Sequence, residues 1–405
     1  MISESYVLNE LKKLHNDYKL SGKRVLVIIP DHTRTAPIGM FFRLLNEVCG
    51  KTVAQLDFLI ALGTHPLMSE EEILKLVGIT LEEKDTVYSG INVFNHEWNK
   101  PETFKKLGDI EQKETEMLTG GILSESSEIW INRMVWDYDQ LFVIGPVFPH
   151  ELAGFSGYSK YLFPGICGPE FIATTHWIGA LNTNLKNIGI RETPLRKLID
   201  HAAGMMPVPI LWLNLVVNEQ GLHGLFIGED RSAWEQAVEL SSQINIRYVN
   251  KPFKQVLSCP SKKYDDLWTG GKAFYKIEPA VEDGGELIIY APHIKQISIT
   301  HDEAMHKIGY HIKDYFLAHM DEYRDISKTV MTYSTMVKGS GVYREERETP
   351  RVNVILATGI PREICERLNI DYIDPEEINI EEWENREGEG TVVIRNAGET
   401  LFRLK

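Results

Sequence analysis

The sequence predicts an α/β protein made of two Rossmann-like α/β domains, with the active site in the cleft between them. Three observations lead there. Short, continuous apolar runs such as Arg24 to Pro30 (RVLVIIP) are the mark of strands buried on both faces of a parallel sheet. Those runs alternate with segments of helical period. The alternation restarts after residue 250, and a length of 405 residues suits two or three domains.

Ser5 to Leu20 reads as an amphipathic helix, with Leu8, Leu11 and Leu14 near helical spacing. Arg24 to Pro30 is the first buried strand; it ends in Asp31-His32-Thr33-Arg34-Thr35-Ala36-Pro37, and a helix follows from about Ile38. Leu56 to Leu62 is the next strand and runs into Gly63-Thr64-His65-Pro66. Ser69 and Glu72 then form a capping box for a helix that Gly78 stops. Gln140 to Gly145 is a third buried strand, leading into Pro149 to Lys160 (PHELAGFSGYSK) and on to Thr175-His176-Trp177. Val208 to Val217 and Leu225 to Ile227 read as strands, and Arg231 to Ile244 as a helix. A boundary near Tyr248 to Phe253 is expected to separate an N-terminal cofactor-binding and catalytic domain (1–250) from a C-terminal α/β domain (251–405). In the second, a strand begins at Lys254, a helix runs from about Asp265 to Ala280, and strands cover Glu286 to Tyr290 and Arg351 to Leu356, with a helix over Pro361 to Leu368. The tail from Asp374 to Gly390 is acidic and weakly patterned, and the last strand, Thr391 to Arg395, could return to either domain.

Composition excludes several classes. A formal net charge of −15 argues against a nucleic-acid partner, which needs a basic face. No apolar run approaches the roughly 18–20 residues of a membrane helix, and the first residues lack the basic and apolar regions of a signal peptide. Cys49, Cys167, Cys259 and Cys365 have no paired spacing, as expected of free thiols in a reducing cytoplasm.

Three loops rich in functional groups each follow a buried strand. Ligands of open α/β sheets collect beyond the carboxyl ends of strands, which places Arg34, His65 and His150 around one pocket. Asp31 to Pro37 has the residues of an anion site, with Arg34 offering a bidentate fork; an Asp-capped turn carrying a surface arginine would look the same. His65 is placed to be a general base, although a lone histidine is more often structural. The span from His150 to His176 carries the strongest signal: a lysine 160 − 150 = 10 residues and a histidine 176 − 150 = 26 residues after His150. Lys160 sits among Tyr158, Tyr161, Leu162 and Phe163; such a lysine is either a desolvated nucleophile or attachment point, or one snorkelling from an aromatic surface. Trp268-Thr269-Gly270-Gly271-Lys272 opens or interrupts a helix, where Lys272 could reach an anionic substrate or simply be solvated. His301 to His306 lacks the order of a zinc-protease helix and reads as an ordinary helix, and Gly339-Ser340-Gly341 lacks the third glycine of a dinucleotide fingerprint.

DHTR at 31–34, GTHP at 63–66, PHELAGFSGYSK at 149–160 and the later His176 together resemble the lactate racemase family that uses a nickel-pincer nucleotide. The resemblance runs from the Asp31 loop to about Lys272. It implies a pyridinium-3,5-bisthiocarboxylic acid mononucleotide whose two sulfur-bearing arms and a ring carbon grip nickel. Lys160 would carry the covalent tether, and His176 would complete the nickel coordination. It implies His65 and His150 as the two acid/base residues, Asp31, Thr33 and Arg34 as a loop seating cofactor and substrate, and Lys272 near the cofactor and the substrate carboxylate. There are two departures. Thr269 stands where lactate racemases usually carry glutamine, and Tyr158 where glycine is frequent; both bear on the substrate rather than on the cofactor. Tyr158, Trp177, Trp268 and Thr269 are candidates to line its pocket.

The implied reaction is racemisation or epimerisation of a 2-hydroxy acid by reversible hydride transfer, with a carboxylate clamp holding the substrate still. The implied partners are a small hydroxy acid or sugar acid and the cofactor-maturation enzymes. A sugar or sugar-acid epimerase using the same cofactor is the first alternative. An NAD-dependent 2-hydroxy acid oxidoreductase is the second.

Overall fold

A computed structural model describes every residue of the chain except Glu387 and Glu389, which belong to the acidic tail and lie outside the described residues. The architecture is α/β and divides into two compact units. The first comprises residues 1–148, 155–175 and 195–244; the second comprises 149–154, 176–194 and 245–405.

The first unit is built on a six-stranded sheet. Arg24–Ile29 lies inside it, flanked in parallel by Gln55–Ile60 and Gln140–Pro146. Val93–Asn95 continues the parallel pairing on one side and Ile210–Asn218 on the other; Gly221–Gly228 closes that edge antiparallel. Both central strands bury five consecutive residues, as the apolar runs predict. Helices Glu4–Asp17 and Ile38–Cys49 cover the sheet with Val7, Leu11, Phe41, Phe42 and Leu45. The capping box of Ser69 and Glu72 is present, and Gly78 ends that helix in the left-handed conformation. Because chain order reverses between the strands at 24–29 and 140–146, the switch point of this sheet lies between them, with the Asp31 loop leaving one strand end and the segment toward Lys160 leaving the other.

The second unit has a five-stranded, all-parallel sheet in the order 371–372, 353–358, 281–291, 253–260, 391–397. The strand Thr391–Ala397 therefore joins this sheet, and Leu401–Leu404 pairs with Ile246–Val249. One expected element differs. The helix expected over 265–280 is two short turns, Leu267–Gly270 and Lys272–Tyr275, followed by a 3₁₀ turn at Glu278–Ala280. Asp266 caps the first turn, and Ile294 and Val337 pack into the space beside Gly270 and Gly271, so the backbone bends there. The segment after His301 is a helix, Asp302–Ile308. Among the described residues no helix is long and apolar enough to cross a membrane.

Candidate active site

In the first unit the in-register pairing of Ile29 with Ile60 starts both loops at one level of the sheet. Asp31 and His65 meet there: His65 Nδ1 lies 2.5 Å from Asp31 Oδ2. Asp31 is buried, whereas the His65 side chain is 44% exposed, so the carboxylate anchors a ring whose other edge reaches solvent. The second carboxylate oxygen accepts from the Thr33 backbone N–H at 3.1 Å and from its hydroxyl at 2.6 Å. Burial opposes ionisation of Asp31, but the His65 hydrogen bond and charge, the Thr33 hydroxyl and Arg34 outweigh it and hold its carboxyl well below the usual carboxylate range. A carboxylate at Nδ1 places the proton of neutral His65 there and leaves the lone pair on Nε2. The Trp98 indole donates to the His65 carbonyl at 2.7 Å and fixes the backbone beneath the ring. Arg34 is half-buried in the same loop.

Lys160 sits half-buried in a 3₁₀ turn, Tyr158–Tyr161, closed by its own N–H on the Gly157 carbonyl at 3.2 Å. Gly157 has φ +82, and a Cβ there would meet Val147 Cγ2 at 2.4 Å, so only glycine fits. The turn rests on residues that belong to no motif. Arg196 is fully buried; its guanidinium donates to the Phe155 carbonyl and, at 2.9 Å, to the Ser159 hydroxyl, which itself donates to Asp200. The Trp234 indole donates to the Ser156 carbonyl at 2.8 Å, and the Arg196 guanidinium lies 4.4 Å from its ring. Tyr158 has φ +54 and lays its ring 4.2 Å from Trp212, on the supporting side of the turn; burial pushes its phenol up to about 12. Next to Lys160, the buried Tyr161 phenol is pushed up by burial while nearby Arg34 pulls it down, which ties this turn electrostatically to the Asp31 loop.

The second unit carries the remaining candidates. His150 is buried, and its Nδ1 accepts from the backbone N–H groups of Leu152 at 3.2 Å and Ala153 at 3.4 Å. An N–H aimed at Nδ1 requires a lone pair there, so neutral His150 carries its proton on Nε2, 3.8 Å from Glu151 Oε1. His65 and His150 are thus held in opposite tautomers. His176 is half-buried on the helix Pro169–Asn182, its ring 6.4 Å from Tyr333. Tyr333 stacks on Trp268 at 3.8 Å, and Trp268 lies 4.5 Å from His301, so rings line up from the candidate nickel ligand to the Trp268 turn. Tyr333 also escaped the sequence reading, because its helix, Lys328–Lys338, shows no functional pattern. Trp177 is buried. Thr269 is exposed, but its hydroxyl already donates to Asp266 Oδ1 at 2.6 Å. Lys272 is half-buried, with its ammonium 5.7 Å from the Tyr264 ring.

Among the described residues no three His, Cys, Asp or Glu side chains group as a metal cage. A nickel ion at His176 would therefore need most of its donors from a non-protein group, which is what a pincer ligand supplies. Gly339-Ser340-Gly341 follows a helix and opens the antiparallel hairpin 341–350, the reverse of the strand-to-helix context of a dinucleotide fingerprint.

Comparison with known proteins places the chain among relatives. Residues 7–189 match the family described as the lactate racemase N-terminal domain. The lactate racemase of Thermoanaerobacterium thermosaccharolyticum is 26% identical over 276 residues, covering 66% of this chain and 60% of the relative. That of Lactiplantibacillus plantarum is 23% identical over 231 residues, covering 55% and 49%. The matched segment thus spans about half to three fifths of these relatives' length. A crystal structure of a protein from Thermotoga maritima superposes with a TM-score of 0.86 at 33% identity, covering 100% of this chain and 99% of that one. The lactate racemase apoprotein from T. thermosaccharolyticum shares the fold, with a TM-score of 0.74 at 20% identity, covering 100% and 93%.

Proposed function

We propose that the chain, which resembles the lactate racemases, is an isomerase: a racemase or epimerase of a 2-hydroxy acid that works with a nickel-pincer nucleotide tethered at Lys160 and ligated through His176. The observation that carries this reading is the pair of His65 with the buried, ionised Asp31, which leaves the solvent-facing Nε2 of the ring with a lone pair. An alcohol carbon that inverts must lose a hydroxyl proton and regain one in the opposite configuration. His65 Nε2, left with its lone pair by Asp31, accepts the proton; His150, entering the turnover with a second proton as an imidazolium, returns one from Nε2 and is left neutral, the form whose Nδ1 accepts from the Leu152 and Ala153 N–H groups. The other stereoisomer starts from the exchanged protonation states. Asp31 stabilises the imidazolium that forms on His65 without itself taking the proton. Arg34 and Lys272 supply the cationic grip on the substrate carboxylate. The chemistry asked of the bound nucleotide is reversible acceptance of the C2 hydride.

A sugar acid is the second reading of the substrate. The Trp268–Tyr333 ring pair beside His176 favours it, because a broad apolar face has little to hold in a methyl group and much in a longer carbon chain. Cofactor-maturation enzymes and a cytoplasmic setting belong to the same proposal.

The test begins with protein from cells that carry the maturation enzymes. Metal analysis and peptide mass mapping should find nickel and an adduct at Lys160, and enantiopure 2-hydroxy acids or sugar acids should interconvert. Lys160→Ala and His176→Ala should each lose nickel and activity. Full activity in either variant would overturn the proposal.

A further inference from the structure

We propose that the turn between Ala397 and Leu401, anchored by Glu399, is the positioning element for Lys272 and sets its grip on the substrate carboxylate. The inference rests on the reading of Lys272 given above. The second sheet reverses its chain order between the strands at 253–260 and 391–397, so its switch point lies between them. Two segments leave the carboxyl ends of these strands: the one carrying Tyr264 and Lys272, and the turn containing Gly398 and Glu399.

They are joined in detail. The buried Tyr264 hydroxyl donates to Glu399 Oε1 at 2.6 Å. Lys263 meets the same oxygen at 2.7 Å, and Lys276 donates to the Glu399 carbonyl at 3.0 Å. The Tyr264 ring, fixed in this way, lies 5.3 Å from the Lys263 ammonium and 5.7 Å from that of Lys272. Gly398 has φ +95 and touches the other side of the assembly: a Cβ there would stand 3.1 Å from Lys272 Cβ and 3.1 Å from the Tyr264 hydroxyl. One carboxylate therefore fixes the ring under Lys272, and one glycine leaves room for its stem.

The charges point the same way. Burial and the neighbouring Lys272 push the Lys276 amine down to about 8, opposed by Glu151 and Glu399, with Lys263 adding to the downward push. Glu399 tempers a cluster of three lysines, and Glu151, one residue from His150, acts on the same group. Loss of the Glu399 charge would loosen the ring and sharpen the repulsion between Lys272 and Lys276, one helical turn apart.

The experiment uses the full chain with its lysines reductively dimethylated with ¹³C, the Lys272 signal being assigned by Lys272→Arg. The Tyr264 ring should move that signal upfield. Glu399→Gln and Tyr264→Phe should each shift it back toward an exposed lysine, with the fold checked by circular dichroism. An unchanged Lys272 signal in both variants overturns the proposal. On loaded enzyme, Glu399→Gln should raise KM about tenfold while kcat moves by less than about threefold, the signature of lost ground-state grip. If the signal shifts but no hydroxy acid is turned over, the positioning role holds and the functional reading fails.

Discussion

At the residue scale, the two histidines depend on different partners. His65 is oriented by a buried carboxylate and His150 by backbone N–H groups. Long-range ¹H–¹⁵N correlation spectra at neutral pH should find the proton of the neutral rings on Nδ1 of His65 and on Nε2 of His150; the reverse assignment at His65 would remove the basis for its role as the base. Asp31→Asn keeps the shape but no longer favours the Nδ1–H tautomer of His65. It should lower kcat by about 10²–10⁴-fold with little change in nickel content. Asp31 also makes acid stability predictable. Its carboxyl is depressed in the folded chain, so its contribution is complete above the unfolded value of about 4 and is lost as pH falls through the folded value below it. Thermal melts of Asp31→Asn should therefore show a flatter decline than wild type below about pH 4.

At the element scale, the Lys160 turn stands on Arg196. Arg196→Met should leave the Phe155 carbonyl without its donor and Asp200 with Arg231 alone as its cation, and cost about 3–5 kcal/mol, read as a lower urea midpoint. If Lys160 carries the proposed tether, nickel loading should fall with it. The parallel strands and the capping box were legible in the sequence because each is a local pattern: an apolar run, or a serine three residues before a glutamate. The short edge strand Val93–Asn95 and the antiparallel pair of Phe104–Ile110 with Ser127–Asn132 were not, since the first is only three residues long, the other two mix apolar and charged residues, and their pairing is decided by what lies beside them. The same limit applies at the site. His65 and Asp31 were each legible as members of a motif, but their bond joins residues 34 apart through strand register. Arg196, Tyr333 and Glu399 carry no motif at all; their significance arises from what folds against them.

At the scale of the whole molecule, the chain passes between the two units at residues 148–149, 154–155, 175–176, 194–195 and 244–245. The segment 176–194, which carries His176, takes its partners from late in the sequence: Asn184 donates to the Tyr275 carbonyl, and Arg403 donates to the Ile188 carbonyl. A fragment ending at residue 250 should thus be less protected from hydrogen exchange over 176–194 than the full chain. Co-expression with 251–405 should restore that protection. The weave has a consequence for biosynthesis. Ile188 leaves the ribosome 215 residues ahead of Arg403, a wait of roughly ten to forty seconds at ordinary translation speed. Throughout that interval the segment 176–194 lacks its late partner, so its final fastening waits until Arg403 has been made.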